Sequence, residues 1–502
     1  MLISPIVTLA SEATPFNSGN FSITWSIVLG LLIVFALLLI SNLLRRVVPF
    51  IRKSLLPVAF IGGAIGLALK IAFSYGELGI TGDVVMTNGF TAMLQVITYH
   101  SLAIGFISLG LKTIDNQRKK SKEMGRDSVK SGLIIIATYL IQGILGVAIT
   151  IIFSLMFSSV VPYSGLLLPM GYGQGPGQAM NIGGIFQNNG FVGGVDFGVT
   201  ISTLGFLSAA VGGVIYLNYA VKKGYVKRRE EGDLTPESSE LVEKHGEVPL
   251  SESIDKLTIQ VSLVAFTYLL TFGVIYGLEI LAKLSGIAFL VNTVIPLLYG
   301  FNFIFATMFA MIVKKVLASL QNKKVIKRQY VNNFLLERIA GLAFDVMIIS
   351  SIMSIDIRNL ADSGLIITLL VMGVTGAVVT FFYVLYMTKK AYPGYKHQGF
   401  VTFYGNLTGT ASDGIALLRE IDPTFSTPAA DALVYGSTVA IALGFPVLLL
   451  TGYIYTGGTS ITSPALWISL VVMIVYFLAI NLGFFLLLKR YKRKGAEVIK
   501  QQ

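Results

Sequence analysis

The chain alternates between long apolar runs and short polar segments. A helix that spans a membrane needs roughly 20 mostly apolar residues, and nine runs reach that length: 21–44, 90–111, 131–157, 195–221, 258–284, 288–313, 364–387, 432–455 and 465–488. Segment 57–73 is shorter, and segment 334–354 is apolar apart from three charged residues. We therefore predict an all-α membrane protein with about eleven transmembrane helices.

The composition indicates that lipid, rather than water, surrounds most of this chain. Hydrophobic residues make up 54% of the sequence and charged residues only 13%, about half of the roughly 25% that is typical of soluble proteins. The absence of cysteine excludes disulfides, thiolate metal sites and cysteine nucleophiles. Run 21–44 is too long for the apolar core of a signal peptide, so we predict an uncleaved first helix.

The positions of Lys and Arg predict the orientation. If the N-terminus is outside, segments 45–56, 112–130, 222–257, 314–333, 389–398 and 489–502 are inside, and they hold 33 of the 38 basic residues. A wrong helix count would invert every later loop and destroy this bias. We therefore predict a multi-pass protein of the cell membrane, with its N-terminus outside and its C-terminus inside. The net charge of +12 is then a cytoplasmic girdle that contacts anionic lipid, and it does not indicate nucleic-acid binding.

Two segments, 163–186 and 397–421, do not fit this series of helices. Both are too apolar for ordinary loops, and both are too rich in glycine and polar residues to span as one regular helix. Treating either as a full span would place later basic loops outside. We predict that each is a re-entrant hairpin, which enters and leaves on one side of the membrane. The first would enter from outside and the second from inside.

The two predicted hairpins share a motif. Tyr172-Gly173-x-x-x-Gly177-x-Ala179-x-Asn181 recurs as Tyr404-Gly405-x-x-x-Gly409-x-Ala411-x-Asp413. Because the two hairpins would enter from opposite sides, the motif predicts an inverted repeat. Residues 1–221 and 258–456 would be its five-helix halves, the polar segment 222–257 a cytoplasmic linker, and 457–502 an extra helix with a basic tail.

Hairpins of this kind predict a solute site. Irregular backbone survives inside a membrane only within protein or beside a water-filled cavity, and the ends of broken helices attract ions. The candidate solute-binding residues are Gln174, Gly175, Gly177, Gln178, Asn181, Asn406, Thr408, Gly409, Thr410 and Arg419. The candidate coupling-ion residues are Ser412, Asp413 and Asp345, because Na⁺, like other hard cations, prefers oxygen ligands.

Each charged candidate also has a structural interpretation. Asp413 could couple an ion or a proton, or it could cap the helix that follows it. Arg419 could bind a substrate carboxylate, or it could be an interfacial arginine that pairs with Glu420 or Asp422. Asp345 could be a second cation ligand or a satisfied structural carboxylate. No role is assigned to Lys70.

At these motifs the sequence resembles the bacterial sodium–glutamate symporter family. Gly173-Gln174-Gly175-Pro176-Gly177-Gln178-Ala179 is similar to that family's Gly-His-Gly-Thr-Gly-Ala-Ala. Residues 405–416 are similar to its Gly-Phe-Gly-Leu-Gly-Ala-Thr-Pro-Thr-Ala-Ile-Ala. The resemblance implies two five-helix halves, Na⁺-coupled uptake of an acidic amino acid, an elevator-like motion and a homodimer. Gln174 and Asp413 depart from the family pattern, so the expected substrate is a small anionic or zwitterionic solute.

Three other functions compete with Na⁺ symport. The first is H⁺-coupled transport of an organic anion or amino acid. The second is an ion channel, because re-entrant loops also line pores. The third is an intramembrane enzyme that uses Asp345 and Asp413 as paired carboxylates. No enzyme signature flanks either aspartate, so the sequence predicts a transporter with no cofactor other than Na⁺ as its coupling ion.

Overall fold

The structure is a computed structural model that describes residues 21–75, 88–113, 122–227, 255–288, 290–326, 330–423 and 425–499. Most of the predicted linker 222–257 lies outside these residues. The described residues form helices and no strands: α1 (Phe21–Val47), α2 (Pro49–Ser54), α3 (Val58–Tyr75), α4 (Asn88–Leu111), α5 (Lys122–Ser154), α6 (Leu167–Gly173), α7 (Pro176–Asn188), α8 (Gly194–Lys222), α9 (Lys256–Ser285), α10 (Ile295–Gly300), α11 (Asn302–Asn322), α12 (Asn333–Ser354), α13 (Ser363–Ala391), α14 (Lys396–Thr408), α15 (Ala411–Arg419), α16 (Ala429–Tyr453) and α17 (Pro464–Ile499).

Nine of the described helices are long and apolar enough to cross a membrane: α1, α4, α5, α8, α9, α11, α13, α16 and α17. The prediction of an all-α, multi-pass membrane protein is therefore confirmed. The two weaker predicted spans are also helices. Helix α3 is apolar but short, and α12 carries Glu337, Arg338 and Asp345. All nine residues from 346 to 354 of α12 are buried, so protein rather than lipid surrounds this end of the helix.

The predicted span 288–313 is wrong in its detail. The chain instead forms a π-helical turn (Leu290–Val294), the short helix α10 and, after a break at Phe301, helix α11, which continues to Asn322. Pro296 lies in the first turn of α10. Proline has no N–H group to bond the preceding turn, and the π-helical turn lies directly before α10. Hydropathy alone does not register that missing donor.

The helices pack into two groups, which we call the first and second bundles. The first bundle contains α1, α3, α4, α9, α11 and α12, in which α12 packs against α3 and α4. The second bundle contains α5 to α8 and α13 to α17, and α5 is its centre because it contacts α6, α13, α16 and α17. The two bundles meet where α7 and α8 contact α12, and where α7 also contacts α4.

A buried lysine fixes the end of α12. Lys70 in α3 is 7% exposed, and its Nζ donates hydrogen bonds to the backbone carbonyls of residues 353–355 at 3.2–3.3 Å. A cation is favourable at this helix end because the last carbonyls have no intrahelical partner. Just beyond it, Asp196 of α8 accepts hydrogen bonds from the N–H of Asp356 and from Nδ2 of Asn359, both at 2.8 Å. Lys70 therefore has a structural role that the sequence did not indicate.

Glycine contacts allow the close packing inside the second bundle. A Cβ built on Gly165 would lie 2.1 Å from the backbone carbonyl carbon of Gly146 in α5. We expect Gly165→Ala to lower the free energy of unfolding by about 1–3 kcal/mol, because backbone must move to admit the methyl group. Thermal unfolding in detergent would measure the change. The control is Gly273→Ala in α9, where a Cβ would have no neighbour within 4 Å. An equal loss of stability in both variants would contradict this packing.

Candidate functional site

Each of the two unusual segments consists of two helices separated by a short break. In the first segment a 3-10 turn (Pro162–Leu166) leads into α6, and α7 begins after its N-cap Gly175. In the second segment α14 ends at Thr408, and α15 begins after its N-cap Thr410. Gly175 has φ +86°, a conformation that favours glycine. The glycines therefore interrupt these segments only locally.

The two breaks contact each other. A Cβ built on Gly175 would lie 3.5 Å from Cγ2 of Thr410. Next to this contact is a cavity of about 220 Å³. Residues from both breaks line it: Gly173, Gln174, Gln178, Asn406, Thr410, Ala411 and Ser412. Other parts of the wall include Tyr139, Phe344 and Ile441, which lie near the middle of α5, α12 and α16. The cavity is therefore about midway along the long helices, where the two bundles meet.

The rest of the cavity wall is mainly apolar. Its hydrophobic residues come from α4, α5, α11, α12 and α16, and they include Leu102, Phe106, Ile135, Ile136, Phe303, Ile304, Met347, Val447 and Leu448. No Lys, Arg or His of the described residues lines the cavity. The polar groups are thus concentrated at the two breaks, and the opposite walls can accommodate an apolar group.

Two side chains of α5 hold the helix ends at the breaks. Tyr139 donates its hydroxyl hydrogen bond to the carbonyl of Gly173 at 2.8 Å, at the end of α6. Gln142 donates from Nε2 to the carbonyl of Leu407 at 2.9 Å, at the end of α14. These carbonyls have no partner within their own helices. Sequence reasoning missed both residues, although two polar side chains three positions apart in apolar α5 were an available signal.

The starts of the second helices in the two segments differ in one important respect. In α15, Oδ2 of Asp413 accepts hydrogen bonds from the N–H and the hydroxyl of Thr410, both at 2.7 Å. This arrangement is a capping box, with Asp413 at the third helical position. The same position in α7 is Gln178, and the N-cap there is Gly175, which has no hydroxyl. Among the described residues, neither amide atom of Gln178 has a hydrogen-bond partner, although both are buried.

The sequence motif and the structure therefore align the two segments differently. The motif pairs Asn181 with Asp413, whereas the helix starts pair Gln178 with Asp413, a difference of three residues. Asn181 lies further along α7, and its Nδ2 donates to the carbonyl of Gly300 at 3.2 Å. It bonds the irregular backbone between α10 and α11 and does not line the cavity. Local capping, rather than the spacing of glycines, determines where each second helix begins.

Asp413 is buried, and a second carboxylate lies near it. Its side chain is 5% exposed, and its charge interacts with that of Asp345 on α12. Within the part of the chain that the structure describes, no ion pair involves either aspartate. A carboxylate that is buried without a counter-charge is costly, so a bound cation or proton would stabilise Asp413. The capping role of Asp413 leaves this second role open.

The remaining predicted residues, like Asp345 and Asp413, are not part of the cavity wall. Gly177 faces Met347, since a Cβ there would approach its sulfur to 2.7 Å. Thr408 donates its hydroxyl to the carbonyl of Tyr404. Arg419 is exposed at the far end of α15, with its guanidinium 5.3 Å from the ring centre of Phe425. The structure thus does not bring Arg419 to the position where a bound carboxylate would need it.

Comparison of the chain with protein-family models, with curated proteins and with solved structures gives no match in any of the three.

Proposed function

We propose that the protein is a secondary active transporter that carries a small solute by Na⁺-coupled symport and alternating access. The observation that supports the proposal best is the meeting of two interrupted helices at a cavity midway along the long helices. Transporters with discontinuous helices place the solute and the coupling ion at such ends. The position of the cavity between two bundles also suits the elevator-like motion, in which one bundle would move relative to the other.

The helix contacts support an inverted repeat. In this proposal α1, α3, α4, α5 and α8 are equivalent to α9, α11, α12, α13 and α16, and each half contains one of the interrupted segments. The contact of α1 with α3 then corresponds to that of α9 with α11, and α5 with α16 corresponds to α13 with α8. The two segments would be re-entrant hairpins that approach each other from opposite sides. The homodimer remains an implication of the family resemblance.

The coupling ion would bind near the second break. Ser412 and Asp413 lie at the start of α15, and the charge of Asp345 interacts with that of Asp413. Carboxylate and hydroxyl oxygens suit a hard cation such as Na⁺. The buried carboxylate of Asp413 also favours a second candidate, H⁺-coupled transport, because a proton would neutralise a buried charge that has no counter-charge.

Uptake into proteoliposomes tests the proposed function. The full-length protein would be reconstituted and supplied with labelled amino acids, monocarboxylates and dicarboxylates under a Na⁺ gradient, a pH gradient or neither. We expect at least one solute to accumulate above its external concentration with one of the two gradients only. Equal uptake under all three conditions, or single-channel currents, would overturn the proposal.

A further inference from the structure

We propose that the cavity binds a solute with one carboxylate and an apolar body, and that the carboxylate binds at the start of α7 beside Gln178. Dicarboxylates such as glutamate would be rejected. The inference rests on the proposed function, since it names the class of solute for the same cavity, but its test uses binding and does not require transport.

The start of α7 offers backbone hydrogen-bond donors that have no acceptor within the helix. The first intrahelical bond of α7 runs from the N–H of Ala179 to the carbonyl of Gly175. The amides of Gly177 and Gln178 precede it and have no acceptor within the helix. Gly175 provides no side-chain cap, and α7 has 13 residues, so its positive dipole end is exposed to the break.

Gln178 is an independent sign of a missing ligand. Its side chain is 0% exposed, it belongs to the cavity wall, and both amide atoms lack partners among the described residues. Buried polar groups are nearly always hydrogen-bonded. An amide nitrogen beside uncapped backbone N–H groups makes a set of donors, and a carboxylate is a suitable acceptor for them.

The other break shows that a carboxylate can bond the start of such a helix, although there it accepts from the N-cap residue rather than from the first-turn amides. At the equivalent position of α15, Asp413 supplies the oxygen that accepts from the backbone and hydroxyl of Thr410. The chain thus provides its own carboxylate at one break and none at the other. At the start of α7, the carboxylate of a bound solute would be the acceptor that the chain itself does not provide.

The rest of the cavity limits the solute to one negative charge. No basic side chain of the described residues lines it. The polar groups away from the breaks are the hydroxyls of Tyr139, Thr307 and Ser437, and each already donates to a backbone carbonyl. A second carboxylate would lose its hydration without a counter-charge, and it would add to the negative charge of Asp345 and Asp413. A volume of about 220 Å³ is below the range of roughly 300–1,000 Å³ for drug-sized ligands, which indicates a small solute.

Four probes with related shapes test the inference by thermal shift of the detergent-solubilised, full-length protein. They are leucine, 4-methylpentanoate (which lacks its amino group), 3-methylbutylamine (which lacks its carboxylate) and glutamate. We expect binding of leucine or 4-methylpentanoate, and binding about 10- to 100-fold weaker for the amine and glutamate. Binding of leucine alone would place its ammonium group at the second break, whereas binding of both would leave that place to the coupling ion.

Gln178→Glu is the decisive variant. The new carboxylate would cap α7 as Asp413 caps α15, so we expect an unchanged or higher melting temperature together with loss of monocarboxylate binding. Gln187→Glu adds the same charge at the far, exposed end of α7 and should leave binding unchanged. Glutamate binding equal to that of the monocarboxylates, or normal monocarboxylate binding by Gln178→Glu, would overturn the inference. If the inference fails but another solute is taken up under an ion gradient, the proposed transport function still stands. If a monocarboxylate binds but no solute shows gradient-coupled uptake, the proposed function is rejected.

Discussion

Vesicles that contain the Asp413→Asn variant are expected to fill only to the external solute concentration, whereas wild-type vesicles should accumulate solute up to several hundredfold. One monovalent ion that moves down 100 mV releases about 2.3 kcal/mol, and a tenfold ion gradient adds about 1.4 kcal/mol. Together they support roughly 500-fold accumulation of a zwitterion such as leucine for each coupled ion. An anionic monocarboxylate would cancel the charge of the ion, so the ion gradient alone would support about tenfold accumulation. Asparagine removes the charge that would attract the ion. Its side-chain oxygen can still accept from the N–H of Thr410, so the start of α15 should be retained.

The control for this variant is Asp422→Asn. Asp422 is also a buried aspartate, at 3% exposed, but it accepts hydrogen bonds from Ser426 and Thr427 and follows the far end of α15, away from the second break. We expect this variant to lose some thermal stability and to keep its ion dependence. Time courses of labelled solute with and without the ion gradient provide the measurement. Full ion-dependent accumulation by Asp413→Asn would show that Asp413 is not the coupling residue.

A disulfide between the two breaks is expected to stop uptake completely. The chain contains no cysteine, so the pair Gly175→Cys and Thr410→Cys would contain the only thiols. A Cβ on Gly175 would lie 3.5 Å from Cγ2 of Thr410, which is one bond from the Cβ of Thr410. Disulfides join β-carbons roughly 3.5–4.5 Å apart, so the two positions are near enough for a cross-link. Oxidation would place two bonded sulfur atoms in the space between the breaks, where the solute would bind, and reduction should restore uptake.

Cleavage of the chain can report the cross-link directly. A protease site inserted within 222–257 would separate α7 from α15 after cutting, and the two fragments should remain joined only in the oxidised double variant. Each single variant controls for the strain of a cysteine at φ +86°, which is of order 1–3 kcal/mol. The control pair is Gly175→Cys with Arg419→Cys. Gly175 lies beside the start of α15 and Arg419 is its last residue, so this pair should not cross-link. Failure of the first pair to cross-link would contradict the meeting of the two breaks.

Hydropathy predicted most of the helices because a bilayer constrains both length and composition. It could not predict the break before α11, where the carbonyl of Gly300 accepts a hydrogen bond from Asn181. Such bonds join residues more than 100 positions apart in the chain. They leave no local trace in a sequence, and this is also why Lys70 received no role.

The candidate site was predictable in its location and less so in its geometry. Gln174, Gln178, Thr410 and Ser412 were among the predicted residues and line the cavity. The repeated motif nevertheless paired Asp413 with Asn181, whereas the helix starts pair it with Gln178, three residues earlier. The reason is that a glycine caps one helix and a threonine caps the other. Proximity along the chain also suggested Arg419, but a helix of nine residues carries its two ends well away from each other.

Helix α5 bonds the end of α6 through Tyr139 and the end of α14 through Gln142. Both breaks are thereby bonded to the same helix. If the second bundle moves across the membrane, the solute would move with it between two breaks whose spacing stays constant. Release of the solute would then depend on the entry of water and on exposure to the opposite solution, because the two breaks would not separate.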